Sequence, residues 1–276
     1  MELTRYVTIG QFIPRDSAVH RLDPRTKLAA VTMLMVAIFV VGDFAGYALL
    51  TAFLLAIVAI SQIPIGYLLR GLRPIVFLLL LTVILNIFFS GVEGGTPLVE
   101  VRGVVLTREA VLRALFIGYR LITLIAVTSL LTFTTSPVAL TDGIERLLRP
   151  FRRIGVPAHE LAMMMTIALR FIPTLLEETE KIMKAQMARG AVFDRGGALR
   201  RARALVPVLV PLFVSAFRRA DELALAMEAR CYRGGEHRTR MKELRFAPRD
   251  AVGLAVALAA SVTISIPFTV WQNLLR

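Results

Sequence analysis

Cysteine is nearly absent: Cys231 is the single one in 276 residues, which excludes an intramolecular disulfide framework. Nothing arranged around it suggests a nucleophile, so it reads as a small packing residue. Histidine is scarce as well. His20, His159 and His237 are scattered, and His159-Glu160-Leu161-Ala162-Met163 lacks the second histidine of a helical zinc-protease motif, so a surface or capping role is expected for His159. The phosphate-cradling pattern G-x-x-x-x-G-K-[ST] does not occur, which excludes ATP hydrolysis by that route. Lone carboxylates are missing from the long apolar runs, which argues against a proton-coupled carrier. No fixed-period repeat or low-complexity tract is found, so neither a solenoid nor an inverted-repeat transporter is supported. The first apolar run leads almost directly into a second without a small-residue cleavage site, and a cleaved signal peptide is not expected. No catalytic residue, cofactor or metal ligand emerges.

What the chain has is apolar length. A hydrophobic content of 56% and a mean hydropathy of +0.67 lie far above a soluble average and mark a membrane protein. The formal charge of +13 raises nucleic acid as a partner, but no recognition motif accompanies it. Its distribution points elsewhere: residues 142–250 carry 21 Lys and Arg against 13 Asp and Glu. Basic charge beside apolar spans is the signature of a cytoplasmic face.

Five spans are read along the chain. Asp23 followed by Pro24 is an N-cap and first helical position, so the first span starts there, although its uncharged part, Leu28 to Gly42, is shorter than the ~20 residues of an ordinary crossing. Lys27 and Arg25 can cover the deficit by snorkelling. After Asp43, the run Phe44 to Ile63 can span, as a hairpin with the first segment or as one long interrupted helix. Pro64 to Pro74, with Arg70 and Arg73, reads as an interfacial turn, and Ile75 to about Val92 is the third span. Glu93 to Arg108 is a loop that can carry a small hairpin. The fourth span covers Leu121 to Thr141 and is entered earlier, because Arg113 and Arg120 lie on a continuous helical pattern. Arg120 at membrane depth is a candidate functional residue, with plain snorkelling as the alternative. Ala251 to Trp271 is the fifth, ending on an interfacial tryptophan. The positive-inside rule places the N-terminus, the second loop and the basic block in the cytoplasm.

The expected fold is an all-α, polytopic membrane protein of about five transmembrane helices, with long cytoplasmic helices inserted between the fourth and fifth. Residues 1–141 form an N-terminal membrane domain, 142–247 a cytoplasmic helical domain, and 248–276 a C-terminal transmembrane helix. Within the block, Asp142 to Arg153 is basic and amphipathic and suited to the inner interface. Ala158 to Arg189 predicts a long helix, about 48 Å at ~1.5 Å per residue, kinked by Pro173. After a turn at Gly190 to Gly197, a second helix runs from Ala198 to about Arg233 and bends at Pro207 and Pro211. Each helix passes from an apolar half into a charged half. The two ends are alike: Met187-Ala188-Arg189-Gly190 and Met227-Glu228-Ala229-Arg230-Cys231. One such arginine is ordinary helix-end chemistry, offsetting the macrodipole before a glycine. Two on successive helices, beside small alanines and flexible methionines, suit docking against a partner groove.

Leu22-Asp23-Pro24-Arg25-Thr26-Lys27-Leu28, Thr135-Ser136-Pro137, Ala168-Leu169-Arg170-Phe171-Ile172-Pro173, Gln186-Met187-Ala188-Arg189-Gly190 and Glu228-Ala229-Arg230-Cys231-Tyr232-Arg233-Gly234 together resemble the transmembrane T component of energy-coupling factor (ECF) transporters, the CbiQ- and BioN-like family. The resemblance covers nearly the whole chain. It implies a non-catalytic subunit of a vitamin or transition-metal importer in the cell membrane. Its implied partners are two cytoplasmic ABC ATPases, a small membrane substrate-binding (S) subunit and the lipid bilayer, with no nucleic acid. It further implies that the two long helices are coupling helices, and that Ala188, Arg189 and Gly190 dock on one ATPase and Ala229, Arg230 and Cys231 on the other. The second motif departs from the family by carrying cysteine in place of glycine, which makes the exit from that helix an open point. A membrane-embedded enzyme and a non-transporting membrane scaffold are the alternatives.

Overall fold

In the computed structural model, residues 12–89, 97–101, 104–193, 197–234 and 246–266 are described. Among them helices dominate, beside one antiparallel hairpin. They divide into two compact units: residues 12–136 with 246–266, and residues 137–234.

The first unit holds α1 (Pro24–Val40), α2 (Phe44–Ser61), α3 (Ile65–Leu72), α4 (Val76–Phe89), β1 (Pro97–Val101), β2 (Val104–Thr107), α5 (Arg108–Thr134) and α9 (Pro248–Ser265). The start of α1 follows the expected chemistry. Asp23 Oδ1 accepts from the Arg25 amide at 2.9 Å, and Pro24 occupies the first turn, where its missing N–H is not needed. Between α1 and α2 the chain breaks at Val41 to Asp43, so the first two apolar runs are two helices and not one long one. α3 and the 3₁₀ turn Arg73–Ile75 fill the stretch expected to be a turn, and a bend of 61° separates α3 from α4. β1 and β2 pair from Pro97 opposite Thr107 to Val101 opposite Val104, which is the small hairpin anticipated in the loop.

α5 begins well before Leu121, as Arg113 and Arg120 foretold, but the uncharged run to Thr141 is not one helix. α5 stops at Thr134, and a new helix, α6, opens on Pro137. Proline lacks the N–H that continuing the ladder requires and is preset for a first turn, so Thr135-Ser136-Pro137 resets the chain.

Apolar packing fixes this unit. Ile38, Leu50 and Val127 are fully or almost fully buried at its centre with Leu34, Val41, Tyr47 and Ile264. Val58, Ile63, Leu130 and Phe133 form a second cluster. Two glycines permit the closest approaches: a Cβ at Gly46 would sit 3.0 Å from the Ile264 carbonyl oxygen of α9, and one at Gly118 would sit 2.9 Å from Val83 of α4.

The second unit comprises α6 (Pro137–Leu148), the 3₁₀ segment Arg149–Ile154, α7 (Ala158–Ala188) and α8 (Ala198–Ala229). His159 ties α7 to α6 through Glu145, with Nδ1 and Oε1 3.1 Å apart, so its expected bland role becomes an inter-helix bond. α7 continues through Pro173, and α8 through Pro207 and Pro211.

By length and composition, α2, residues Ala110–Thr134 of α5 and α7 can each cross a membrane, and the bent α3–α4 pair makes a fourth candidate. α1, with 17 residues, falls short of the usual ~20. α7 qualifies although its sequence lies in the basic block, and its apolar face, including Leu161, Met164 and Met165, is exposed within the unit. Such broad exposure of large apolar side chains requires lipid or a partner to cover it. The expected anchor Trp271 and His237 lie outside the described residues.

Candidate functional site

The two helix ends singled out in the sequence close in the same way. In α7, Arg189 is the C-cap, Gly190 has φ +88°, its N–H donates to the Met187 carbonyl at 2.9 Å, and the Ala191 N–H donates to the Gln186 carbonyl at 2.9 Å. In α8, Arg230 is the C-cap, Cys231 has φ +55°, its N–H donates to the Glu228 carbonyl at 2.8 Å, and the Tyr232 N–H donates to the Met227 carbonyl at 3.0 Å. Each pair of bonds is a Schellman motif, which satisfies carbonyls that a helix end would otherwise leave open. Cys231 thus occupies the left-handed position that Gly190 occupies in α7. The substitution keeps the exit geometry and places a Cβ where glycine is favoured.

Ala188, Arg189 and Gly190 are exposed, as are Ala229, Arg230 and Cys231. Neither arginine makes an ion pair among the described residues. The backbone therefore caps itself and leaves each guanidinium, with its planar five-donor fork, facing outward.

The helices hold these ends apart. Gln186 Nε2 donates to the Pro207 carbonyl at 3.2 Å, and Glu178 meets Ser215 and Arg219, so α7 and α8 run antiparallel. Extending that register puts Arg230 level with the first half of α7. At ~1.5 Å per residue, Arg189 and Arg230 are separated by on the order of 35 Å along the helix direction. The charged crosspiece between the helices, beside the Gln186–Pro207 bond, is Glu178, which accepts from the Ser215 hydroxyl and lies 2.9 Å from Arg219 Nη2. Glu180 and Lys184, four residues apart on α7, pair at 3.1 Å, a contact that helical spacing alone announces. Glu178 has no such signal, because its partners lie on another helix and leave no periodic trace.

In the other unit the Leu22-to-Lys27 motif acquires a structural role. Asp250 is 1% exposed. Its Oδ1 accepts from the Asp23 N–H at 2.7 Å and its Oδ2 from the Ala247 N–H at 2.8 Å, joining the N-termini of α1 and α9. Lys27 is buried and donates to the carbonyls of His20 at 3.1 Å and Thr134 at 2.8 Å, so α5 is drawn to the same point. Asp250 was missed as a site residue. Its signal was present three residues after Ala247, with Pro248 between, the spacing at which an acid reaches back to a helix start.

Arg120 proves to be a helix-end partner. Its Nη2 points at the Val41 carbonyl at 3.3 Å and the Phe39 carbonyl at 3.5 Å, and the guanidinium lies over the Phe39 ring at 5.6 Å. It meets the negative end of α1, where the helix stops short. Among the described residues, no three His, Cys, Asp or Glu side chains converge on a metal-sized site.

Comparison with known proteins gives this geometry a family. Residues 15–241 match the CbiQ family, described as "Cobalt transport protein". The chain is 58% identical over 268 residues to the "Energy-coupling factor transporter transmembrane protein EcfT" of Thermosediminibacter oceani, covering 97% of this chain and all of that one. It is 54% identical to the protein of the same name from Clostridium kluyveri, over 96% of this chain and 97% of the relative. For that of Bacillus subtilis the identity is 46%, over 88% and 91%. The matches run through both units, and the chain belongs to the family of ECF transporter transmembrane T components.

Proposed function

We propose that this chain is the energy-coupling subunit of an ECF-type ABC importer, transmitting ATP-driven motion from two cytoplasmic ATPases to a membrane S subunit that carries a vitamin or transition metal. The observation that carries the reading is the matched pair of helix ends, each a self-capped Schellman turn presenting an exposed arginine with no ion pair among the described residues. A separation on the order of 35 Å, from the rise of ~1.5 Å per residue, suits two docking sites on two subunits better than one site on one. Ala188-Arg189-Gly190 docks on one ATPase and Ala229-Arg230-Cys231 on the other. Each guanidinium pairs there with a carboxylate in a desolvated groove.

In this reading the chain sits in the plasma membrane with five spans, formed by α1, α2, the α3–α4 pair, α5 and α9. Residues 1–141 make the N-terminal membrane domain and 248–276 the last span. Residues 142–247 carry the coupling helices on the cytoplasmic side, the side favoured by their 21 basic residues between 142 and 250. The exposed apolar halves of α7 and α8 pack against the S subunit. ATP hydrolysis belongs to the partners, and this chain catalyses nothing.

The test is the double variant Arg189→Ala, Arg230→Ala in the assembled complex. Each truncation leaves a partner charge unpaired and costs about 2–5 kcal/mol of docking energy. The expected result is loss of co-purifying ATPases and of ATP-dependent uptake, with the T and S subunits still associated. Undiminished uptake by the double variant would overturn the proposal.

A further inference from the structure

A cavity of about 830 Å³ opens among α1, α2, α5 and α9 of the membrane unit. Its walls are aliphatic and aromatic side chains, among them Leu34, Phe53, Ile57, Val127, Leu131 and Val256. Polarity is confined to Arg21, Lys27, Thr134 and Arg249, which all lie where α1 and α9 begin and α5 ends. The volume falls in the ordinary range of ligand pockets, and a hydrocarbon-lined hollow in a membrane bundle with a cationic mouth has the polarity profile of an amphiphile with an anionic head.

The charges at that mouth are not all free. Arg21 is held by both oxygens of Asp16 at 2.6 Å. The acids Asp23 and Asp250 accept from backbone amides and do not line the cavity, but Asp23 also lies 3.7 Å from Arg25 Nε and both acids act on the Lys27 charge, which leaves Arg249 as the least compensated cation at the mouth. Lys27 spends two of its three N–H donors on carbonyls, which leaves one. Arg249 is exposed and has no ion pair among the described residues. The positive ends of α1 and α9 are already met by Asp23 and Asp250, so the cationic character of the mouth rests on Arg249 and Lys27.

We propose that this cavity binds one anionic glycerophospholipid, with acyl chain along the apolar walls and phosphate held by Arg249 and the remaining Lys27 donor. A protein helix would fill the apolar part and leave these cations unmatched. A neutral lipid tail would do the same. The proposal is independent of the coupling role of Arg189 and Arg230.

The experiment equilibrates the purified full-length chain in detergent with phosphatidylglycerol and phosphatidylcholine of identical acyl chains, and counts retained lipid by native mass spectrometry. One phosphatidylglycerol per chain is expected, enriched over phosphatidylcholine. Arg249→Gln lowers that enrichment about fivefold, the effect of one cation beside an anionic lipid, while phosphatidylcholine, whose phosphate is offset by its choline, loses less retention than phosphatidylglycerol does. Ala56→Trp, which fills the cavity from an exposed wall position, lowers retention of both lipids, and Ala30→Phe does the same from α1; circular dichroism identical to the parent certifies folding. Equal retention of the two lipids by the parent chain, an unchanged preference in Arg249→Gln, or retention unaffected by both filling variants overturns the proposal. So does crosslinking of Ala56→Cys to a co-expressed membrane partner with concurrent loss of lipid, which would make the cavity a protein docking surface.

Discussion

Asp250→Ala should loosen the junction of α1, α5 and α9 more than removal of any solvent-exposed charge in the neighbourhood. In the parent chain its two oxygens satisfy the buried amide of Asp23 and the partly buried amide of Ala247, at 2.7 and 2.8 Å. Removal of the carboxylate leaves the Asp23 N–H without an acceptor beside a position that is 1% exposed, whereas water can reach the Ala247 N–H in part. An unsatisfied buried donor costs about 1–3 kcal/mol, which the Asp23 amide incurs in full and the Ala247 amide in part, with about 0.3–1 kcal/mol more from the lost acid in the first turn of α9. Asp250→Asn keeps one acceptor and turns an NH₂ group toward the other amide, so it should recover only part of that loss. In detergent free of anionic lipid, Arg249→Gln, one residue away and exposed, serves as the control and should stay within about 0.5 kcal/mol of the parent.

Thermal unfolding of the full chain in mild detergent, followed by circular dichroism, measures the sum. Amide exchange at Asp23 and Ala247 measures the cause. The expected order is Arg249→Gln, then Asp250→Asn, then Asp250→Ala, with the Asp23 and Ala247 amides exchanging faster in the last two. If Asp250→Ala unfolds with the control, or destabilises without exposing those amides, the carboxylate does not join the helices and the account of the Leu22-to-Lys27 motif fails.

Three other outcomes follow from the same geometry. Glu178→Gln and Arg219→Gln, combined in a double-mutant cycle, should show coupling of less than about 1 kcal/mol in stability, because the pair is partly exposed, yet each single change should lower uptake in the assembled transporter; stability loss with full uptake would make the crosspiece merely structural. Cys231→Gly removes a left-handed non-glycine residue worth about 1–2 kcal/mol and returns about 0.4–1 through the freer unfolded chain, so amides 227–232 should be protected as well or up to about tenfold better; weaker protection would contradict the Schellman assignment. His20 has its protonation disfavoured, first by burial and then by the Lys27 charge, so its folded pKa lies below 6.5. The unfolded chain then binds more protons below that value, and the His20 contribution is intact above about pH 6.5 and lost as pH falls through the folded value. The stability difference between parent and His20→Asn should shrink or reverse on going from pH 7 toward pH 5, and a pH-independent difference would refute the shift.

Much of the helical order was legible because each signal was local. Asp23-Pro24 announces α1, the Gly-Asp interruption separates α1 from α2, and Gly190 announces the end of α7. What could not be read was decided across helices. Thr134 ends α5 although the apolar run continues to Thr141, because Pro137 favours starting a helix over extending one. Arg120 reads alike whether it snorkels, works or caps; only the nearby end of α1, some eighty positions earlier in the chain, distinguishes these. At the helix ends the paired arginines are written in the sequence, whereas their outward exposure and the left-handed Cys231 are set by the fold.

The likeness of the two ends bears on how force can pass between them. In the proposed transporter, independent movement of α7 and α8 would let two ATPases shift one arginine each and leave the apolar halves unsynchronised. The antiparallel register prevents this, because the charged half of each helix lies beside the apolar half of the other, with Glu178 binding α8 near the middle. A displacement applied at Arg189 therefore reaches the apolar half of α8, and one applied at Arg230 reaches that of α7. An antiparallel pair with its handles at opposite ends can turn displacement of the two handles into rotation about the crosspiece, and rotation is a motion that a packed apolar partner can follow. In the proposed transporter this assigns Glu178 the place of the pivot. Weakening it should uncouple ATP hydrolysis from uptake while both ATPases stay bound, and detachment of either ATPase from Glu178→Gln would refute the lever.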